Sequence, residues 1–137
     1  LIGSCMAGIA FLKGLGMVHA ISHMVGAEYD TQHGLTNAII LPVVMRYNLQ
    51  GLEPKVARMA KTMGISDSTP DGFTAHLEAV LDEIDIPKSL AAIDVPFDCA
   101  QRIAEKALLD SAAATNPRQA GVADVRQMIE TAITAAR

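Results

Sequence analysis

Residues 16–48, GMVHAISHMVGAEYDTQHGLTNAIILPVVMRYN, hold three of the chain's four histidines, and the rest of the sequence is read outward from them. His19 and His23 stand four apart in an apolar, helix-patterned run, and on a helix such positions share one face. His33 follows a Gly- and Asp-containing stretch, and a turn over residues 26–31 can carry it back toward that face. Three imidazoles converging from two helices suggest a metal or a proton-transfer site.

The flanking pattern is helical throughout. Residues 1–13 form an apolar helix, with a bend or break at Gly14-Leu15-Gly16. Residues 17–25 carry the two histidines and stop at Gly26, a suitable C-terminal glycine. Asp30 or Thr31 caps the next helix, with His33 in or just before its first turn. Pro42 must kink or break that helix, because its ring removes one bond and crowds the preceding turn. A further helix follows Pro54 and closes at Gly64, and Ser68 or Thr69 caps another with Pro70 in its first turn. Over residues 73–85 the apolar positions Leu77, Val80, Leu81 and Ile84 make a one-faced helix. An Ala-rich helix covers 98–114, Thr115-Asn116-Pro117-Arg118 interrupts, and a last helix over 122–136 buries Val125, Met128, Ile129, Ala132 and Ile133. No segment alternates apolar and polar residues, so the expectation is one all-α helical bundle of about six or seven helices.

Composition narrows the function. The chain has 137 residues, half of them hydrophobic and 19% charged, so it can bury a core rather than remain disordered. A net charge of -4 without a cationic block argues against nucleic acid, and the absence of Trp argues against stacking platforms. Residues 1–26 are apolar enough to raise a membrane span, but their glycines, serines and histidines, and the missing aromatic flanks, point to a buried helix instead. Cys5 and Cys99 form no CxxC pair; both are expected as buried free thiols in a reducing, cytoplasmic setting. The start at Leu1, directly in an apolar run, suggests a piece of a longer polypeptide.

Several residues have a plain structural reading. Met17, Met24, Met45 and Met59 read as core filler. His76 and the acidic residues Asp82, Glu83 and Asp85 read as a solvated helix face. Asn37 and Asn48 read as caps or hydrogen bonds within their own helix. A lone His on an apolar helix is more often a core residue than a ligand, and His-x3-His-x9-His is neither a zinc-finger nor a zincin spacing. The clustering of three favours a site.

The segment 16–26, followed by His33-Gly34 and by Asn37-Ala38-Ile39-Ile40-Leu41-Pro42, resembles the signature of the iron-dependent (group III) alcohol dehydrogenases. Leu109-Asp110, Asn116-Pro117-Arg118 and the final helix are similar to that family too. The likeness runs along essentially the whole chain and concerns the helical C-terminal half alone. It implies a dehydroquinate-synthase-like metal-binding domain over 1–137, with an N-terminal dinucleotide-binding domain absent from this chain. It further implies Fe(II), or Zn(II), held by His19 and His33. His23 would be the proton relay and contact the NAD or NADP that the missing domain mainly binds. An Asp and another His ligand of most members would precede Leu1. The implied reaction interconverts a primary alcohol and its aldehyde by metal-assisted hydride transfer; this chain alone, with no Gly-rich phosphate loop, is expected to be inactive, and the apolar surface a separated helical domain exposes suggests a homo-oligomer. A maleylacetate-reductase-like or glycerol-dehydrogenase-like member, or a non-catalytic helical interaction domain, are the other readings.

Overall fold

The computed structural model describes residues 1–135. Among them are seven α-helices and no strand: α1 (Ile2–Phe11), α2 (Met17–Tyr29), α3 (His33–Asn48), α4 (Glu53–Met63), α5 (Pro70–Glu83), α6 (Ala100–Ala107) and α7 (Val122–Thr134). Short 3-10 turns occupy Leu90–Ile93, Phe97–Cys99 and Ser111–Thr115. The main core lies where α2 packs on α3 and α6, and α7 closes over α3 and α6. Val125, Met128, Ile129, Ala132 and Ile133 of α7 are all buried, as their spacing requires. A smaller cluster of Leu49, Val56, Ala60 and Phe73 joins α4 and α5 to the end of α3.

Gly26 does not end α2. The helix runs on to Tyr29, and Asp30 takes the left-handed conformation at φ 51°. An interior glycine costs about 1 kcal/mol against alanine. Full burial of Val25 alone contributes about 1.5–3 kcal/mol. In the last turn, Glu28 accepts from Arg102 at 2.9 Å and pairs with Lys106, tying α2 to α6. Burial and the ion pairs outweigh the glycine.

Residues 30–32 then double back along α2. Thr31 lies beside Gly26, Ser22 meets His33 and His19 meets Asn37, so α3 runs antiparallel to α2 in a register set by this fold-back. The cap of α3 is Gln32, not Asp30 or Thr31: its side chain accepts from the Leu35 N–H. Pro42 does not break α3, which is continuous to Asn48.

Other expectations change as well. The helix drawn over 98–114 is split, because Asp110 turns its carboxylate onto the Ala112 N–H at 2.8 Å and diverts the chain into a 3-10 turn. In α5, Phe73, Thr74 and Leu81 are buried while Val80 and Ile84 are exposed. Cys99 is buried but Cys5 is exposed, since α1 buries none of its residues. Met17 is buried, and Met24 and Met45 pack partly against the two clusters, but Met59 is exposed. His76 is half-buried rather than exposed. The final helix ends at Thr134; its expected continuation to Ala136 lies outside the described residues. Among the described residues, no helix is long and apolar enough to cross a membrane.

The Asn-Pro-Arg turn ties the ends of the bundle together. Asn116 Oδ1 accepts from the Met17 N–H at 3.1 Å and from Asn48 Nδ2 at 3.0 Å. Its Nδ2 donates to Asn48 Oδ1 and to the Arg118 carbonyl. Arg118 lies over the Tyr47 ring, 4.0 Å from its centroid. Next to this turn Gly14 has φ +92°, and a Cβ there would stand 2.7 Å from Thr115, so the close approach requires glycine.

Replacing Asn116 by Ala strands a buried helix N–H and the Asn48 amide, and is expected to lower unfolding free energy by about 1–3 kcal/mol, read from the denaturant midpoint. A second expectation concerns pH. The Arg102 guanidinium, and then Lys106, hold the Glu28 carboxyl below the ordinary glutamate range. A depressed carboxylate contributes stability above its unfolded pKa and loses it as pH falls through the lowered folded value. Glu28→Gln is therefore expected to be less stable at neutral pH and to lose less on acidification below about pH 4.5. Urea titrations across that range check it.

Candidate metal centre

The three histidines meet. His19 and His23 project from the same face of α2, and the fold-back sets His33, the first residue of α3, beside them. The ring centroids form a near-equal triangle: 5.8 Å from His19 to His23, 5.3 Å from His19 to His33 and 5.5 Å from His23 to His33. His19 and His23 are half-buried and His33 is exposed, so the group sits at a rim of the domain. His76 lies on α5 and is not part of it.

Each ring has a defined partner. Asn37, one turn beyond His33 on α3, places its Nδ2 at 3.0 Å from His33 Nε2 and 3.4 Å from His19 Nε2. An amide nitrogen only donates, so both Nε2 atoms are lone-pair acceptors aimed at one point. His33 Nδ1 faces the buried Ser22 hydroxyl at 3.4 Å, which suits the same tautomer. His23 Nδ1 lies 3.0 Å from Asp110 Oδ2. Two roles are not legible in the sequence: Asn37 is a partner of the rings rather than a cap within its own helix, and Asp110, family-like in sequence, reaches His23 from 87 positions away. The Asn37 contact has a local signal, the i,i+4 spacing to His33, whereas nothing local announces Asp110.

Electrostatics follows the packing. Burial pushes the His19 pKa down, and the neighbouring His33 and His23 add to the effect, so the neutral, lone-pair form is favoured. Burial pushes the Asp110 carboxyl up, yet the Ala112 N–H and the His23 ring outweigh it and leave it below the ordinary aspartate range. The group therefore offers two imidazole Nε2 atoms, a third imidazole and an ionised carboxylate behind it. No set of three His, Cys, Asp or Glu side chains among the described residues is placed to hold an ion by itself. Two nitrogens are half of the donors that a usual divalent site needs.

Beside His19 and Asn37 opens a cleft of about 540 Å³ between the end of α1, the start of α2 and α3, with Leu15, Val18, Leu41 and Met45 on its walls. It is of the size and apolar character that takes a small organic molecule.

Comparison with known proteins agrees with this arrangement. The model of the Fe-containing alcohol dehydrogenase family, C-terminal, matches residues 1–133. Lactaldehyde reductase of Escherichia coli (strain K12) is 36% identical over 138 residues, which cover 96% of this chain and 36% of that protein. 1,3-Propanediol dehydrogenase of Klebsiella pneumoniae is 39% identical over 123 residues, 85% of this chain and 32% of that protein. A solved 1,3-propanediol oxidoreductase superposes with a TM-score of 0.80 at 34% identity, over 87% of this chain and 33% of its own. The chain spans about a third of the length of the relatives it matches. With its all-helical bundle and its match from residue 1 to 133, the chain belongs to the Fe-containing alcohol dehydrogenase family, as a counterpart of the family's C-terminal region.

Proposed function

We propose that this chain is the metal-binding part of an NAD- or NADP-dependent alcohol dehydrogenase that interconverts a primary alcohol and its aldehyde. The observation that carries the reading is the shared target of His19 Nε2 and His33 Nε2, both within 3.4 Å of the one Asn37 nitrogen. In a family described as Fe-containing, two lone pairs converging on a single donor are the natural start of a divalent site. The donor set fits Fe(II) or Zn(II) in part: imidazole suits both, and further ligands would have to come from an N-terminal dinucleotide-binding domain, which would also bind most of the nicotinamide cofactor.

His19 and His33 would hold the ion, which when bound supplies Lewis acidity to the substrate oxygen. The chain's other residues do the rest. Ser22 orients His33 through Nδ1, away from the ligating Nε2, while the Asn37 amide caps both Nε2 lone pairs and would give way to the ion. His23, one turn from His19 on the same face of α2, holds or passes the proton of the alcohol and contacts the cofactor. The apolar cleft beside His19 takes a short carbon chain. The relatives, a lactaldehyde reductase and a 1,3-propanediol dehydrogenase, support a short-chain substrate. The exposed apolar α1, with Ile2, Met6, Ile9 and Phe11 open, supports association with an N-terminal dinucleotide-binding domain and in a homo-oligomer. Two unpaired cysteines suit the reducing cytoplasm.

The test is a titration of the chain with Zn(II) and Co(II). One-to-one binding weaker than about 1 μM is expected, falling at least about tenfold in His19→Ala or His33→Ala and unchanged in His76→Ala. Tight one-to-one binding that survives His33→Ala would sink the reading. Asn37→Asp supplies a carboxylate within reach of both nitrogens, and is expected to tighten Zn(II) by about tenfold in the same titration.

A further inference from the structure

Among the described residues Asp110 is the one carboxylate that touches the histidine group, and its placement is more constrained than an ion pair requires. Its Oδ2 stands 3.0 Å from His23 Nδ1, and its Oδ1 is held by the Ala112 N–H at 2.8 Å, so the carboxylate cannot turn away without losing a bond. Its side chain is 14% exposed against 36% for His23. An ionised carboxylate has no hydrogen to give, so the hydrogen in the contact belongs to Nδ1. A neutral imidazole carries a single N–H, and Nε2 is then left bare. The chain also leaves its helical path at this position, and the 3-10 turn that follows packs on α2.

We propose that Asp110 is the positioning residue of the site, fixing His23 in its Nδ1–H tautomer so that Nε2 is the nitrogen available to accept a proton. The inference deepens the dehydrogenase reading and rests on it for the meaning of that nitrogen. A relay whose tautomer is locked presents the same atom on every cycle, whereas a freely exchanging ring presents it only part of the time. Ser22 stands in the same relation to His33, but as a neutral hydroxyl at 3.4 Å it holds less firmly.

Long-range proton–nitrogen correlation of the imidazole nitrogens, on 15N-labelled chain at about pH 8, reads the tautomer directly. In the wild type, His23 is expected to be protonated at Nδ1; an Nε2-protonated His23 overturns the proposal without any variant being made. In Asp110→Leu the tautomer ratio of His23 is expected to shift by about tenfold or more toward Nε2–H, and an unchanged ratio overturns it. Zn(II) affinity of the same variant is expected to stay within about twofold, since His19 and His33 keep their own partners. Its loss together with the shift would make Asp110 a structural support of the whole group and end the proposal. A wild type that binds no Zn(II) at all would remove the dehydrogenase reading, while the tautomer result would stand or fall by itself.

Discussion

The register between α2 and α3 is the constraint on which the molecule turns. Three residues, 30–32, reverse the chain and run it back along the helix it has just left. Burial locks the result: Ala20, Ile21 and Val25 on one helix and Ile39, Ile40 and Val44 on the other are all withdrawn from water. One-residue slippage would turn these side chains out of the core by about 100° per step. The same lock sets Ser22 against His33 and His19 against Asn37, so the ring geometry is a by-product of hydrophobic packing rather than of polar contacts at the rim.

Around this pair the polar interactions are few and placed at joints. Asn116 binds the first turn of α2, the last turn of α3 and its own turn, and so closes the end of the hairpin opposite the fold-back. Glu28 fastens the other end of α2 to α6. Between the two lies the histidine group, on a helix held at both ends. Such a support suits a site whose donors must stay aligned.

What could be read from the sequence was local and periodic. The i,i+4 pair His19 and His23, the αL glycine at Gly64, the Thr69 cap with its following proline and the buried stripe of α7 each need only a few neighbouring residues, and each is found in the structure. What could not be read depends on contacts made across the fold. Gly26 continues a helix because distant charges on α6 reward the extra turn. The Ala-rich run over 98–114 has helical propensity along its length, yet one aspartate with a distant partner redirects it. Asn37 appears in sequence as one more polar residue on a helix; only the fold-back reveals that His19 is within its reach.

Asn37 carries one more consequence. Its nitrogen is shared by two imidazoles, while its carbonyl oxygen is buried with no donor among the described residues. An unmatched buried acceptor costs about 1–3 kcal/mol. Any guest molecule that brings a hydroxyl or an amide hydrogen to that oxygen recovers the cost, so resistance to heat and occupancy of the adjoining cleft are linked quantities, rising together with the logarithm of guest concentration.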